Sequence, residues 1–387
     1  MNILFLIGKY PSYGGTEKVT TVLANQFCKQ GHIVHIVSFE QPVPELAKEL
    51  DVTIKLHKLS YPVKRQSNIK ILRSIIQENN IEIIINQWCL PFYVTQLCNK
   101  ARKGSLCKLI AVHHNSPDSN ARIEQVKMEL GENIGWFKRI ILLLNLSTIK
   151  WITSLSLRYV YNHSDKYVLL SKSFFDIFRQ FTHIKNIDKV TVISNPLTLY
   201  DVNFQYIFDN KLKEIIYVGR IDYNQKKIYR IVHLWNDIEK DYPDWNLTIV
   251  GDGEKRKDVE NLIEELRLKR IKVIGFKNPI EYYKRAFILI LTSEYEGFGL
   301  VIVEGMTFGV VPIVYGSYAA VYDIIDNGEN GFITNMPYSK DETVNCLRTL
   351  IENEKLRNEM ALNAIEKAKM FSLESIVMQW EKLFKSV

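Results

Sequence analysis

The sequence predicts an α/β protein of two domains, each built on a parallel sheet with helices on both faces. Short apolar runs alternate with helix-length periodic segments from end to end, as expected when strands buried on both faces are joined by crossover helices. The series restarts once, after Ser194-Asn195-Pro196. The 387 residues, 47% hydrophobic and 24% charged, supply enough apolar surface for two cores.

Strands are expected near 2–7, 33–38, 52–57, 82–86, 108–113, 166–170 and 190–193, and in the second series near 214–219, 246–251, 271–274, 287–292 and 310–314. Pro196 biases Asn195 toward extended backbone, and an irregular polar stretch, 198–212, follows before the buried run IIYVG. The first domain therefore spans 1–197 and the second 198–370. Residues 371–387 form a separate amphipathic helix with Ser372 as its N-cap. No solenoid repeat or low-complexity tract is present.

The segment from Ile134 to Tyr161 is apolar and aromatic but is interrupted by Lys138, Arg139, Lys150 and Arg158. Its longest uncharged run falls short of the roughly 20 residues that a membrane span requires. A long packed helix is the preferred reading, with a basic amphipathic face lying in a membrane interface as the alternative. At the N-terminus, the apolar run Ile3–Ile7 is too short for a signal-peptide core, so a cytoplasmic chain is expected. The five cysteines show neither zinc spacing nor a disulfide framework and read as reduced, mostly buried thiols.

Charge divides the chain unevenly. Residues 1–195 carry 25 Lys and Arg against 14 Asp and Glu, a net of +11, whereas the remainder carries 25 against 29, or −4. The basic half should face something anionic. No nucleic-acid motif accompanies the charge, which favours an anionic membrane surface over nucleic acid.

The most informative segment is LTSEYEGFGLVIVEGMTFGVV. A buried strand ends in a polar turn, and Gly297-Phe298-Gly299, followed by Leu300, opens a helix. Unpaired N–H groups at that helix start favour an anion, and glycines let a diphosphate approach the backbone. Glu296 precedes the turn and Glu304 lies inside the helix, so one carboxylate can reach the sugar side of a bound nucleotide and the other the ribose diol. Taken alone, the pair reads equally well as a solvated loop residue and a helix-surface residue. Arg220 and Lys226 follow the strand IIYVG, at a strand's carboxyl end where two cations could neutralise a diphosphate. Singly, each resembles ordinary surface charge.

The turns IVGDGE, with Gly251, and VIGFKN, where the Phe276 backbone could contact a base, complete a set on one sheet edge. In the first domain, Gly14-Gly15-Thr16 follows the first strand and can present N–H groups to the same diphosphate. It is not a GxGxxG fingerprint, and no acidic residue is placed for a nicotinamide ribose, so a dehydrogenase is a poor fit. His114, closing the strand KLIAV, is either a donor or acceptor contact or a structural histidine.

Together these segments resemble the retaining glycosyltransferases of family 4, which have the GT-B fold. GGTEKV resembles the family's N-terminal glycine loop, VHHNSPD its histidine loop, VISNP its approach to the linker, and YVGRI with NQKK its arginine–lysine pair. EGFGLVIVE matches its paired-glutamate motif, with seven residues between the carboxylates. The resemblance implies two Rossmann-like domains facing each other across a cleft, with the closing helix packing back on the first. It also implies that Arg220 and Lys226 hold the donor diphosphate, that Glu304 holds the ribose, and that Glu296 lies beside the transferred sugar. Gly15 and the Phe298–Leu300 backbone would complete the pocket. Lys227 stands where many relatives carry glycine, which assigns the cationic role to Lys226. Transfer with retention, without a metal and by front-face attack is implied, in agreement with the lack of a DxD-type motif in the cleft loops.

The expected donor is a nucleotide-diphosphate sugar, with uridine preferred. The expected acceptor is a glycan or polyprenyl-diphosphate-linked glycan in cell-surface polysaccharide assembly. A non-catalytic nucleotide-sugar-binding partner and a nucleotide-sugar epimerase are the competing readings. The intact Arg220, Lys226, Glu296 and Glu304 weigh against the first, and the paired-glutamate motif against the second.

Overall fold

A computed structural model describes residues 1–132, 134–199 and 204–387. The chain divides into two units, Met1–Pro196 together with Leu373–Val387, and Leu197–Ser372. Of the irregular stretch expected at 198–212, residues 200–203 lie outside the described residues.

The first unit runs β1 (Asn2–Lys9), α1 (Gly15–Lys29), β2 (Ile33–Glu40), β3 (Lys55–Lys58), α2 (Gln66–Glu78), β4 (Ile83–Asn86), α3 (Phe92–Ala101) and β5 (Lys108–His113). It continues with α4 (Ala121–Gly131), α5 (Trp136–Asn162), β6 (Lys166–Leu169), α6 (Phe174–Thr182) and β7 (Val190–Val192). These seven strands form a sheet in the order β3-β2-β1-β4-β5-β6-β7, and the paired strands are parallel. The central strand β1 is buried from Ile3 to Ile7, as a strand covered by helices on both faces must be. Because the chain moves outward from β1 to β3 and then restarts at β4 on the other side, a crevice opens between the carboxyl ends of β1 and β4.

The second unit runs β8 (Glu214–Val218), α7 (Ile228–Ile238), β9 (Asn246–Val250), α8 (Arg256–Glu265), β10 (Ile271–Val273), α9 (Ile280–Arg285) and β11 (Ile288–Leu291). Then come α10 (Leu300–Thr307), β12 (Val311–Tyr315), α11 (Val321–Ile324), β13 (Phe332–Thr334), α12 (Lys340–Glu352) and α13 (Glu354–Ala368). Its strand order is β10-β9-β8-β11-β12-β13, which places the corresponding crevice between β8 and β11. The final helix, α14 (Leu373–Phe384), belongs to the first unit. Its Trp380 and Phe384 rings pack edge-on against Phe27 of α1, at 6.5 and 5.3 Å between centroids. Glu381 meets His32 at 2.6 Å.

Three expectations require correction. The third strand begins at Lys55 rather than at residue 52, because the Asp51 carboxylate accepts from both the N–H and the hydroxyl of Thr53 and holds a turn there. The edge strand β13 was not anticipated, since three residues following Gly331 carry too little pattern. Helix α5 is not the packed helix preferred from sequence. Only its C-terminal part is held, where Ser156 Oγ accepts from Phe92 N at 3.1 Å and donates to Leu90 O, and Ser154 Oγ donates to Phe181 O at 2.7 Å. Among Trp136–Thr148, Leu142 alone is buried.

Candidate active site

In the second unit, the loops after β8 and β11 meet at the crevice between those strands. The β8 loop is organised by Asp222, only 4% exposed. One carboxylate oxygen accepts from the backbone N–H groups of Gln225 and Lys226, at 2.6 and 3.1 Å, and the other from Arg220 Nε at 3.0 Å. Arg220 also donates to Gln225 Oε1 at 3.1 Å and remains largely exposed, so its guanidinium is aimed but open to a ligand. Gln225 stitches the two loops together, accepting from Glu294 N at its carbonyl and donating from its side chain to Tyr295 O. Behind them Arg230 donates to Thr292 O, pairs with Glu294 and lies 4.1 Å over the Tyr338 ring.

Lys226 and Glu296 close together in this framework. They form a short charge-assisted contact, with side chains only 13% and 11% exposed. Lys227 takes no part in this pair. It is the N-cap of α7 with φ 50 and ψ 41, a left-handed backbone that glycine adopts without cost. A glycine at this position would therefore fit the turn without strain.

Gly297, Phe298 and Gly299 lead into α10. Gly299 has φ +91, and a Cβ there would stand 2.8 Å from the Tyr318 hydroxyl, so only glycine opens this helix without displacing its neighbour. Leu300 starts the helix, whose first N–H groups have no intrahelical acceptor and favour an anion. Glu304 is buried. Its oxygens accept from Thr198 Oγ1 at 2.6 Å and Tyr283 Oη at 3.4 Å, and burial with this carboxylate nearby raises the Tyr283 phenol well above its usual range. Gly251 takes a backbone bridge to Gly275, and a Cβ on it would fall 1.8 Å from Gly219 O. The neighbouring Phe276 is 71% exposed on the same edge.

The crevice of the first unit carries Gly15 and His114. Gly15 is the first residue of α1, directly after β1. His114 contacts Gln87 Oε1 through Nε2, and burial together with His113 lowers its imidazole to about 3. His114 lines a cavity of about 750 Å³ whose walls come from the carboxyl ends of β1, β4 and β5 and the segments after β3 and β4, with Tyr61, Trp88, Phe92 and Tyr93 among them; Thr16, next to Gly15, also lines it. Gly8 lies against the Trp88 ring, where a Cβ would come within 3.1 Å. The buried Gln87 lines the same cavity, and among the described residues its side-chain nitrogen has no hydrogen-bond partner. Aromatic walls with a few aimed polar groups suit a sugar or another amphipathic ligand.

His113, 2% exposed, is lowered by burial to about 4. Its neutral form belongs to the fold, while the unfolded chain takes up the proton near pH 6.5. Stability is therefore complete above that pH and falls as pH drops toward 4, by about 2 kcal/mol between pH 6.5 and 5 from this residue. Urea unfolding at the two pH values of wild type and His113→Phe measures it: the variant should lose this residue's share of the slope and keep that of His114, which burial lowers in the same sense.

The structure thus gathers Arg220, Lys226, Gly251, Phe276, Glu296, Gly297, Phe298, Gly299, Leu300 and Glu304 on one edge of the second sheet, and Gly15 and His114 on the matching edge of the first. Asp222, Gln225, Arg230, Thr198 and Gln87 were not anticipated. A signal existed for Asp222, since an aspartate at the start of a loop often accepts N–H bonds a few residues on. Among the described residues, no three His, Cys, Asp or Glu side chains converge as a metal-ligand set.

Residues 13–199 match the profile of Glycosyltransferase Family 4, and residues 201–367 that of Glycosyl transferases group 1. The chain is 26% identical over 384 residues to an uncharacterized glycosyltransferase of Haemophilus influenzae, covering 97% of this chain and 98% of that one. It is 25% identical, over 100% of this chain and 99% of the other, to the Campylobacter jejuni enzyme named GalNAc-alpha-(1->4)-GalNAc-alpha-(1->3)-diNAcBac-PP-undecaprenol alpha-1,4-N-acetyl-D-galactosaminyltransferase. Among solved structures, Anabaena HepE in complex with UDP and glucose superimposes with a TM-score of 0.73 at 18% identity, covering 100% of both chains. The likeness shows the GT-B fold.

Proposed function

The chain belongs to the family 4 glycosyltransferases, and from that premise we propose that it moves a hexosyl group, with retention and without a metal, from a UDP-sugar to a glycan hydroxyl. The observation that carries this reading is the cationic crevice between β8 and β11, where Arg220 and the Lys226–Glu296 pair stand beside the start of α10.

Arg220, Lys226 and the first N–H groups of α10 hold the donor diphosphate. As the bond from the anomeric carbon to the diphosphate oxygen breaks, negative charge grows on that phosphate, and the same groups stabilise it where a divalent ion would otherwise serve. The acceptor hydroxyl attacks from the face the phosphate leaves, and its proton passes to the departing phosphate oxygen. Glu296 orients the sugar, Glu304 takes the ribose, and the Gly251 and Phe276 loops flank the base. The aromatic cavity with His114 and Gln87 receives the acceptor. That His114 is held neutral suits it to exchange hydrogen bonds with hydroxyls. The UDP complex of HepE supports uridine, and the undecaprenol-PP glycan in the C. jejuni enzyme's name supports a lipid-linked acceptor in cell-surface polysaccharide synthesis. With such substrates the proposed site of reaction is the cytoplasmic face of a membrane.

The test is transfer from UDP-sugars to a lipid-linked glycan in EDTA, with the product anomer read by NMR. UDP release with an α-linked product from an α-linked donor is expected. An inverted product, or a strict requirement for added divalent ion, contradicts the reading.

A further inference from the structure

The N-terminal half of α5 carries apolar side chains that no described residue of the first unit covers. Trp136, Phe137, Ile140, Ile141, Leu143 and Leu144 are between 48 and 75% exposed. At about 100° per residue, all six fall within one arc of about 160°, and Trp151 and Ile152 extend the same stripe toward the C-terminus. Of the buried side chains, Leu142, Thr153, Leu157 and Val160 occupy the opposite side, and Ser154 and Tyr161 are covered only beyond the exposed end of the stripe. Lys138 borders one margin of the stripe, Arg139 and Lys150 border the other, and no acidic residue occurs between Glu132 and Asp165.

We infer that this stripe is a membrane-binding surface which lies in the plane of an anionic leaflet, its apolar side chains among the acyl chains and its flanking cations at the headgroups. The helix is long and apolar enough to span a bilayer. Its C-terminal half is nevertheless tied into the first unit through Ser154 and Ser156, so it lies on the membrane and does not cross it. Charge complementarity selects the occupant, because a stripe bordered by cations on both margins matches anionic headgroups, whereas a second copy of the same stripe would oppose like charges.

The stripe reaches the aromatic cavity at its C-terminal end, where Ile152 belongs to both. Resting on the transferase reading above, α5 delivers a lipid-anchored acceptor from the leaflet to that cavity without extracting its apolar tail into water.

The experiment is flotation of the full chain with phosphatidylcholine vesicles, with and without phosphatidylglycerol. The wild type should float with the anionic vesicles at low salt. The floated fraction should fall about tenfold in Ile140→Glu/Leu144→Glu and severalfold in Lys138→Gln/Arg139→Gln or at high salt. UDP binding, measured in parallel, should be the same in both variants and the wild type, which establishes that they are folded. Wild type left in the bottom fraction, or flotation unchanged by the double glutamate substitution, overturns the inference. So does a wild-type dimer that the glutamates dissociate in a protein without vesicle binding, which would make a second copy the occupant. A chain that floats as expected but neither binds nor turns over nucleotide sugar leaves the membrane surface standing and removes the transferase reading.

Discussion

Lys226→Ala lowers kcat/KM for sugar transfer by about 100- to 1000-fold, the range seen when one charge-stabilising donor is removed from a transition state. The side chain is almost enclosed and already paired with Glu296, so water cannot substitute for it at low cost. Lys227→Gly is the informative control. Its side chain takes no part in that pair, and its φ of 50 suits glycine, so activity and stability should both stay close to wild type. Steady-state kinetics of the two variants side by side checks this. Equal losses in both would mean that the loop presents general positive charge and that no single lysine has the assigned role.

Asp222→Ala lowers kcat/KM by about 10- to 100-fold although the residue is not placed against substrate, and it lowers stability by about 1–3 kcal/mol. One carboxylate fixes the Gln225 and Lys226 backbone and aims Arg220, so its loss loosens both cations together. Asp222→Asn keeps an acceptor for the two N–H groups and gives up the charge facing Arg220. It should recover most of the stability but only part of the activity, and urea unfolding with kinetics on both variants separates the two contributions. If Asn restored neither, the residue would be a fold determinant and not a positioning residue.

Much of this architecture was legible in the sequence because the strands are buried on both faces and therefore read as uninterrupted apolar runs, from Ile3–Ile7 to Val311–Tyr315. Where a local polar bond decided the backbone, reading from pattern failed, as at Asp51 with Thr53. Helix α5 failed for a different reason. Its apolar residues were visible, but whether a neighbouring element covers them is a tertiary fact that periodicity does not contain.

The residues proposed for the site were legible as strand-end loops with cations, glycines and carboxylates, and the left-handed backbone at Lys227 shows why glycine would fit that position. The groups that hold those residues in place were not legible. Asp222 and Gln225 act through backbone N–H and carbonyl groups, and Thr198 reaches Glu304 across more than a hundred residues of sequence. The Thr198 pairing leaves no spacing signal, and that of Asp222 leaves only the general tendency of a loop aspartate to accept nearby N–H bonds.

The central claim is that the crevice between β8 and β11 is a metal-free nucleotide-diphosphate site. Calorimetric titration of UDP, GDP and ADP into wild type and Glu304→Gln, in EDTA, tests it most directly. The account predicts that UDP binds the wild type without added metal and binds the variant at least about tenfold more weakly, the weight of one lost charged hydrogen bond. Absence of binding by all three nucleotides, or binding that appears only when a divalent ion is restored, would contradict it.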